Sequence, residues 1–187
     1  MSHLRGFSLI ETLVVVAMIA ILAAIAAPSF QTMIRNNRLS AAASALQVSL
    51  NLARSEAVKR GADARVSVAA NTAPGVWSNG WTVFADKTGT SNLGLAPTTD
   101  DTGSTGFIRL EVTAAPSGPV NYGQTGTLNY FTYNGQGRLI SSTGAVANRS
   151  FWFYDMSSAS DKYCLIINST GRIRTDRVSS TSSCTTE

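Results

Sequence analysis

One carboxylate, Glu11, lies inside a run of residues otherwise suited to hydrocarbon. A charge in such a setting is costly, so it is by default a functional group with a partner. Near the other end of the chain, Arg172 and Arg174 stand two apart, with Arg177 close by and Lys162 upstream. An extended strand puts alternate side chains on one side. Arg172 and Arg174 would then share a face while Ile173 faces the core. Guanidinium groups on one face suit phosphates, and such contacts position DNA without reading its sequence. An ordinary solvated hairpin is the alternative. Cys164 and Cys184 can make one staple if this part of the chain lies outside the cytoplasm. It would close a loop of about twenty residues, worth about 3 kcal/mol in the chain-entropy account. A buried Cys164 with a loose Cys184 is the alternative there.

Composition limits what else the chain can be. Its 187 residues are enough for about one domain. Hydrophobic residues make up 44% and charged residues 14%, with a formal charge of +4. Disorder needs low hydrophobicity with high net charge, and a charge this small does not by itself imply nucleic acid. The only histidine is His3, and no phosphate-loop pattern occurs. Asp100 and Asp101 are adjacent among turn residues, and Asp155 and Asp161 lack an ion-binding spacing. Two cysteines alone do not complete a metal site. No cofactor, no metal and no enzymatic activity are expected.

The elements that carry these residues differ sharply along the chain. From Leu13 to Ala27 every residue is apolar. A helix over 7–27 would be about 30 Å long, the thickness of a bilayer's hydrocarbon core. A cleavable secretory signal is the other reading of such a segment. Gly6 before the apolar run and Glu11 within it oppose that reading.

Gly6-Phe7-Ser8-Leu9-Ile10-Glu11 resembles the processing site of type IV pilins and of the pseudopilins of type II secretion. The resemblance implies a prepilin peptidase that cuts between Gly6 and Phe7, and methylation of the new Phe7 amine. It makes Glu11 the assembly glutamate and Pro28 the proline that bends the stem. It also implies a bacterial inner-membrane anchor with a periplasmic head, and other pilin or pseudopilin subunits as partners. Loss of 1–6 would remove His3, which excludes histidine-based catalytic triads. Physically, a Phe7 ammonium and a neighbour's Glu11 carboxylate would neutralise each other where an unpaired charge is penalised.

The fold expected is α+β: a long N-terminal helical stem packed against an antiparallel β head, pilin-like. Residues 1–6 form the leader, 7–28 the transmembrane helix, 29–61 its amphipathic continuation and 62–187 the head. Leu39, Ala42, Leu46, Leu50, Ala53 and Ala57 recur three or four apart, the spacing of a buried stripe. Gly61 is a plausible stop. Strands are expected at 64–69, 80–85, 107–113, 128–133, 150–154 and 163–168, with a long exposed loop over 86–106. Phe107, Arg109, Glu111 and Thr113 should oppose Ile108, Leu110 and Val112. No internal repeat is apparent.

The head is similar to that of pseudopilin H and the FimT-type minor pilins. The resemblance lies in Gly80-Trp81-Thr82-Val83-Phe84, Gly135-Gln136-Gly137-Arg138 and Gly171-Arg172-Ile173-Arg174. It implies a minor pilin that initiates or caps filament assembly. It also implies double-stranded DNA as a candidate partner through Arg172, Arg174, Arg177 and Lys162. The alternative is a minor pseudopilin H that contacts other pseudopilins or cargo.

Overall fold

The computed structural model describes residues 7–62, 64–86, 106–125, 129–141, 143–155 and 161–184. One helix, α1 (Leu9–Arg60), contains the whole apolar run. The chain divides into two units, Met1–Asn36 and Asn37–Glu187.

In the first unit the helix begins at a cap. Ser8 Oγ accepts the Glu11 N–H at 3.3 Å, satisfying one of the donors that a helix start leaves unpaired. The helix continues through Pro28, which has no N–H to give. Every side chain from Phe7 to Ile34 is exposed. An 18-residue stretch there has a mean hydropathy of 2.7 and none of it is buried, so it is long and apolar enough to cross a membrane.

In the second unit the helix is one-sided. Leu39, Ala42, Ala43, Leu46, Ser49, Leu50, Ala53 and Ala57 are buried, whereas Val48 and Val58 remain exposed. All six residues of the expected stripe are among the buried ones. The alanines allow a sheet backbone to come close, and the leucines fill the gaps. Gly61 ends the helix at φ +94°, a conformation costly for other residues.

Two antiparallel sheets complete this unit. The first contains β1 (Arg65–Ala70), β2 (Trp81–Asp86), β3 (Phe107–Thr113), β5 (Tyr130–Asn134) and β6 (Leu139–Ile140), in the order β3-β2-β1-β5-β6. The second contains β4 (Asn121–Gln124), β7 (Arg149–Tyr154), β8 (Lys162–Ile167) and β9 (Ile173–Val178), in that order. The helix stripe and both sheets share one core. At its centre Trp77 meets Phe131 and Phe151 edge-on, at 5.2 and 5.4 Å between ring centres.

Two expectations need correction. β3 does not alternate cleanly. Val83 pairs with Glu111 but Phe84 pairs with Arg109, so Leu110 is bulged out of the register. The bulge flips the parity beyond it. Glu111 and Thr113 turn to the side of Trp81 and Val83, and Val112 is left 58% exposed. There Trp81 Nε1 donates to Ser49 Oγ at 3.0 Å, and Ser49 Oγ lies 3.4 Å from Thr113 Oγ1. Ser49 is therefore buried because it satisfies the indole. The second correction is two strands that were not expected, the two-residue β6 and β4 over Asn121-Tyr122-Gly123-Gln124. Gly123 is required because a Cβ there would run into the Trp152 ring. Of the expected 86–106 loop, residues 87–105 lie outside those described.

Tyr133 in β5 is fully buried, and its hydroxyl has no hydrogen-bond partner among the described residues. Burial raises its phenol pKa well above the usual tyrosine value, and the Arg54 charge acts in the opposite direction. The folded head therefore holds this proton more tightly than the unfolded chain. Stability is fully present below pH about 10 and falls as pH rises above it. Tyr133→Phe removes both the orphan hydroxyl and the titration. It should be as stable as the parent at pH 7, or more stable by about 1 kcal/mol. Above pH 10 it should lose stability less steeply with pH than the parent, as read from urea midpoints. Parallel pH curves would contradict this account.

Candidate functional site

The sequence-predicted residues fall in separate places. Phe7 and Glu11 lie in the first unit, and Gly6 lies outside the described residues. Glu11 is exposed, on the first turns of an uncovered apolar helix. Ser8 and Glu11 have the spacing of a capping box, which the sequence reading did not consider. The carboxylate also stands near the positive end of the helix dipole. A helix that starts at Leu9 leaves this cap intact whether the chain begins before or at Phe7. Further along, Thr32 Oγ1 donates to Pro28 O at 3.2 Å.

The basic residues do not all share one face. β8 and β9 pair with Lys162 opposite Val178, Cys164 opposite Asp176 and Ile166 opposite Arg174. Lys162 and Arg174 thus lie on one side of the sheet. Arg177 pairs with Tyr163 on the other side. Ile173 packs against the core, as the alternation implied. Two of the arginines are already engaged. Arg174 Nε lies 2.8 Å from Asp176 Oδ2, and Arg177 Nη2 lies 2.6 Å from Asp161 Oδ2. Arg177 also sits over the Tyr163 ring, 6.0 Å from its centre. Arg172 is exposed, and its guanidinium has no partner among the described residues. It borders a groove of about 290 Å³ lined by Ile166, Asn168, Arg172, Ile173 and Arg174.

Cys164 and Cys184 form a disulfide with Cα atoms 5.7 Å apart. With Ile166 they make a small cluster on the outer side of the second sheet, beside Trp152 and Val178. The staple fixes a Ser/Thr-rich tail that has few apolar anchors of its own.

The turn that presents Arg172 has a near twin. Asn168 N–H donates to Arg172 O at 3.1 Å, and Gly171 N–H to Asn168 O at 2.9 Å. Asn134 N–H donates to Arg138 O at 3.1 Å, and Gly137 N–H to Asn134 O at 2.8 Å. In each turn the asparagine Oδ1 accepts two further backbone N–H groups: Gln136 and Arg138 in one, Thr170 and Arg172 in the other. Each is a three-residue loop with glycine at the left-handed position, Gly137 at φ +70° and Gly171 at φ +78°. One turn belongs to each sheet. Arg54 of the helix joins them, donating from Nε to Gly137 O at 3.0 Å and from Nη2 to Thr170 O at 3.1 Å. From sequence, Asn134-Gly135-Gln136-Gly137 and Thr170-Gly171 are turn candidates, as found, but the joining role of Arg54 and the acceptor role of Asn134 and Asn168 were not read. The signal was present as Asn-x-x-Gly-Arg, which occurs at 134–138 and again at 168–172.

Among the described residues no cluster of three or more His, Cys, Asp or Glu side chains is placed to hold a metal ion.

Comparison with known proteins agrees with this architecture. Residues 42–171 match the family model described as type II transport protein GspH. Residues 1–27 match the prokaryotic N-terminal methylation motif. The fold is similar to that of the type IV minor pilin FimU of Pseudomonas aeruginosa in two crystal forms. In the P21 form the TM-score is 0.55 at 19% identity, covering 77% of this chain and 92% of that one. In the P65 form it is 0.53 at 19% identity, covering 74% and 92%. No curated protein sequence matches the chain.

The twin turns lead to a paired test. Gly144 occupies the same position of a third such turn, at φ +81°, with nothing within 4 Å of a Cβ placed there. A Cβ on Gly171 would fall on Gly137 O and against Arg54 and Tyr133. Gly144→Ala should cost only the backbone strain, about 1–2 kcal/mol. Gly171→Ala should cost at least about 2 kcal/mol more, because it also separates the two turns. Denaturant midpoints of the two variants give the comparison. Equal losses would show that the turns do not depend on their contact.

Proposed function

The chain belongs to the family described as type II transport protein GspH, and on that premise we propose that it is a non-catalytic minor pilin subunit of a type IV pilus. In this reading it initiates or caps filament assembly. Prepilin peptidase removes 1–6, and the new Phe7 amine is methylated. Residues 7–28 anchor the chain in the bacterial inner membrane, Pro28 bends the stem, and the head is periplasmic. Other pilin subunits cover the helix when it leaves the lipid. The match to the methylation motif over residues 1–27 supports this maturation.

The observation that carries the proposal is the uncovered helix half. Every side chain from Phe7 to Ile34 is exposed, and from Leu13 to Ala27 all are apolar. Exposed apolar surface of this extent marks a membrane or protein interface. A single carboxylate on it, Glu11, needs a cationic partner once water is removed. The Phe7 ammonium of a neighbouring subunit fits that need.

A second reading, minor pseudopilin H of a type II secretion system, is favoured by the description of the family. It requires the same maturation and the same helix, with pseudopilins or cargo as partners. Within the pilus reading, non-specific contact with double-stranded DNA rests chiefly on Arg172. Lys162 and Arg174 assist from the same side of the sheet, and Arg177 from the other. Asp161 and Asp176 oppose it by engaging Arg177 and Arg174.

Glu11→Ala tests the proposal. The substitution removes a charge from the apolar helix, so membrane insertion and head folding should persist. The partner for a neighbour's Phe7 amine is lost, so the ratio of filament-borne to membrane-borne protein should fall at least about tenfold. Glu11→Asp should recover part of it, because the charge is kept on a shorter side chain. An unchanged ratio for Glu11→Ala at matched expression would remove the pairing role and leave Glu11 a capping residue.

A further inference from the structure

β9 is the last strand of its sheet, and among the described residues no strand pairs with its outer edge. The register shows which backbone groups that edge offers. Residues of an antiparallel pair alternate between those bonded to the partner and those pointing away. Asn168 N–H donates to Arg172 O, which sets the phase. With Ile166 opposite Arg174 and Cys164 opposite Asp176, Arg174 and Asp176 bond to β8. The N–H and C=O groups of Ile173, Thr175 and Arg177 therefore point outward.

The side chains beside this edge are not neutral. Arg172 stands at its start without a partner among the described residues, and Arg174 Nε lies 2.8 Å from Asp176 Oδ2. Between them lies the groove, which Ile166 and Asn168 also line. Natural sheets blunt their edges with charge, proline or a covering segment. Here the charge near Arg172 is a guanidinium with free donors, which attracts carboxylate as well as discouraging self-pairing.

We infer that the β9 edge receives an extended acidic segment of a neighbouring protein subunit, which adds a strand to the second sheet and sets a carboxylate against Arg172. This rests on the filament-subunit reading and names the kind of contact its head makes. Main-chain hydrogen bonds to Ile173 and Thr175 supply register, and alternate side chains supply specificity. On the outer side an acidic residue of the added strand faces Arg172 or Arg174, a favourable cross-strand pair. A peptide suits the site better than a nucleic acid. Two of the four basic groups are engaged by their own carboxylates, and the strand edge offers N–H and C=O groups in the alternating register that another strand matches.

The test uses the full chain in detergent and two fluorescein-labelled peptides, Thr-Val-Glu-Val-Glu-Val-Thr and its counterpart with glutamine in place of glutamate. Fluorescence anisotropy should show the glutamate peptide binding roughly tenfold tighter than the glutamine one. Arg172→Gln should abolish that difference. Thr175→Pro removes an outward N–H without touching the bonds to β8, but it also removes the 2.8 Å hydrogen bond from Thr175 Oγ1 to Gln47 Oε1. Thr175→Val loses only that side-chain bond, so the proline variant should bind both peptides more weakly than the valine variant at matched folding. Glu11→Ala should bind the peptides as the parent does, which separates this inference from the filament reading. Equal binding of the two peptides, or no effect of Arg172→Gln, overturns it. An unrelated DNA duplex that binds through Arg172 while neither peptide binds also overturns it, and assigns the face to nucleic acid.

Discussion

Water cannot be the resting environment of the helix between Leu13 and Ala27. Its side chains are all apolar and, among the described residues, all exposed. Lipid can cover them, and so can the same helices of other subunits. The backbone is self-sufficient in either case, because a helix satisfies its own hydrogen bonds. Glu11 is the exception, and in the proposed filament it is the group that gives the surface a register. Ser8 caps the helix start and fixes where that carboxylate stands. A purely apolar rod can slide against its neighbours, whereas one that carries a single charge has a preferred stagger.

The second unit meets a different demand, that of holding two sheets and a helix together. An alanine-rich stripe lets the sheets approach the helix, and Trp77 fills the space between Phe131 and Phe151. At one end Arg54 replaces apolar packing with hydrogen bonds to Gly137 O and Thr170 O. Those carbonyls lie in turns of different sheets, so one side chain ties all three layers. The presentation of Arg172 is then a property of the whole head, since its turn is held by Asn168 from within and by Arg54 from outside.

Much of this was legible in the sequence. The buried stripe from Leu39 to Ala57 follows from spacing alone, because helix periodicity is local. The strands around Val83, Phe131, Phe151 and Leu165 follow from apolar clustering. The parity of β3 did not, because a bulge at Leu110 depends on how β2 pairs with it and not on its own residues. β4 was hidden by polar residues, and its glycine is explained only by the Trp152 ring that lies over it. The basic face was readable as composition but not as geometry. Asp161 is remote from Arg177 in sequence, Asp176 stands next to Arg177 yet engages Arg174, and only the folded chain shows which arginine each carboxylate holds. Both turns were legible from their residue types, but their likeness was not noticed, since a five-residue pattern repeats without any longer repeat around it.

The proposed maturation leaves a chain that begins at Phe7, with a basic amine four residues before Glu11 on the apolar helix. Intact-mass measurement of protein extracted from membranes addresses this directly. The account predicts the mass of residues 7–187 plus one methyl group, with the modification on the N-terminal amine after peptide sequencing. A mature terminus beyond Ala27, or an unprocessed chain retained in filaments, would contradict it.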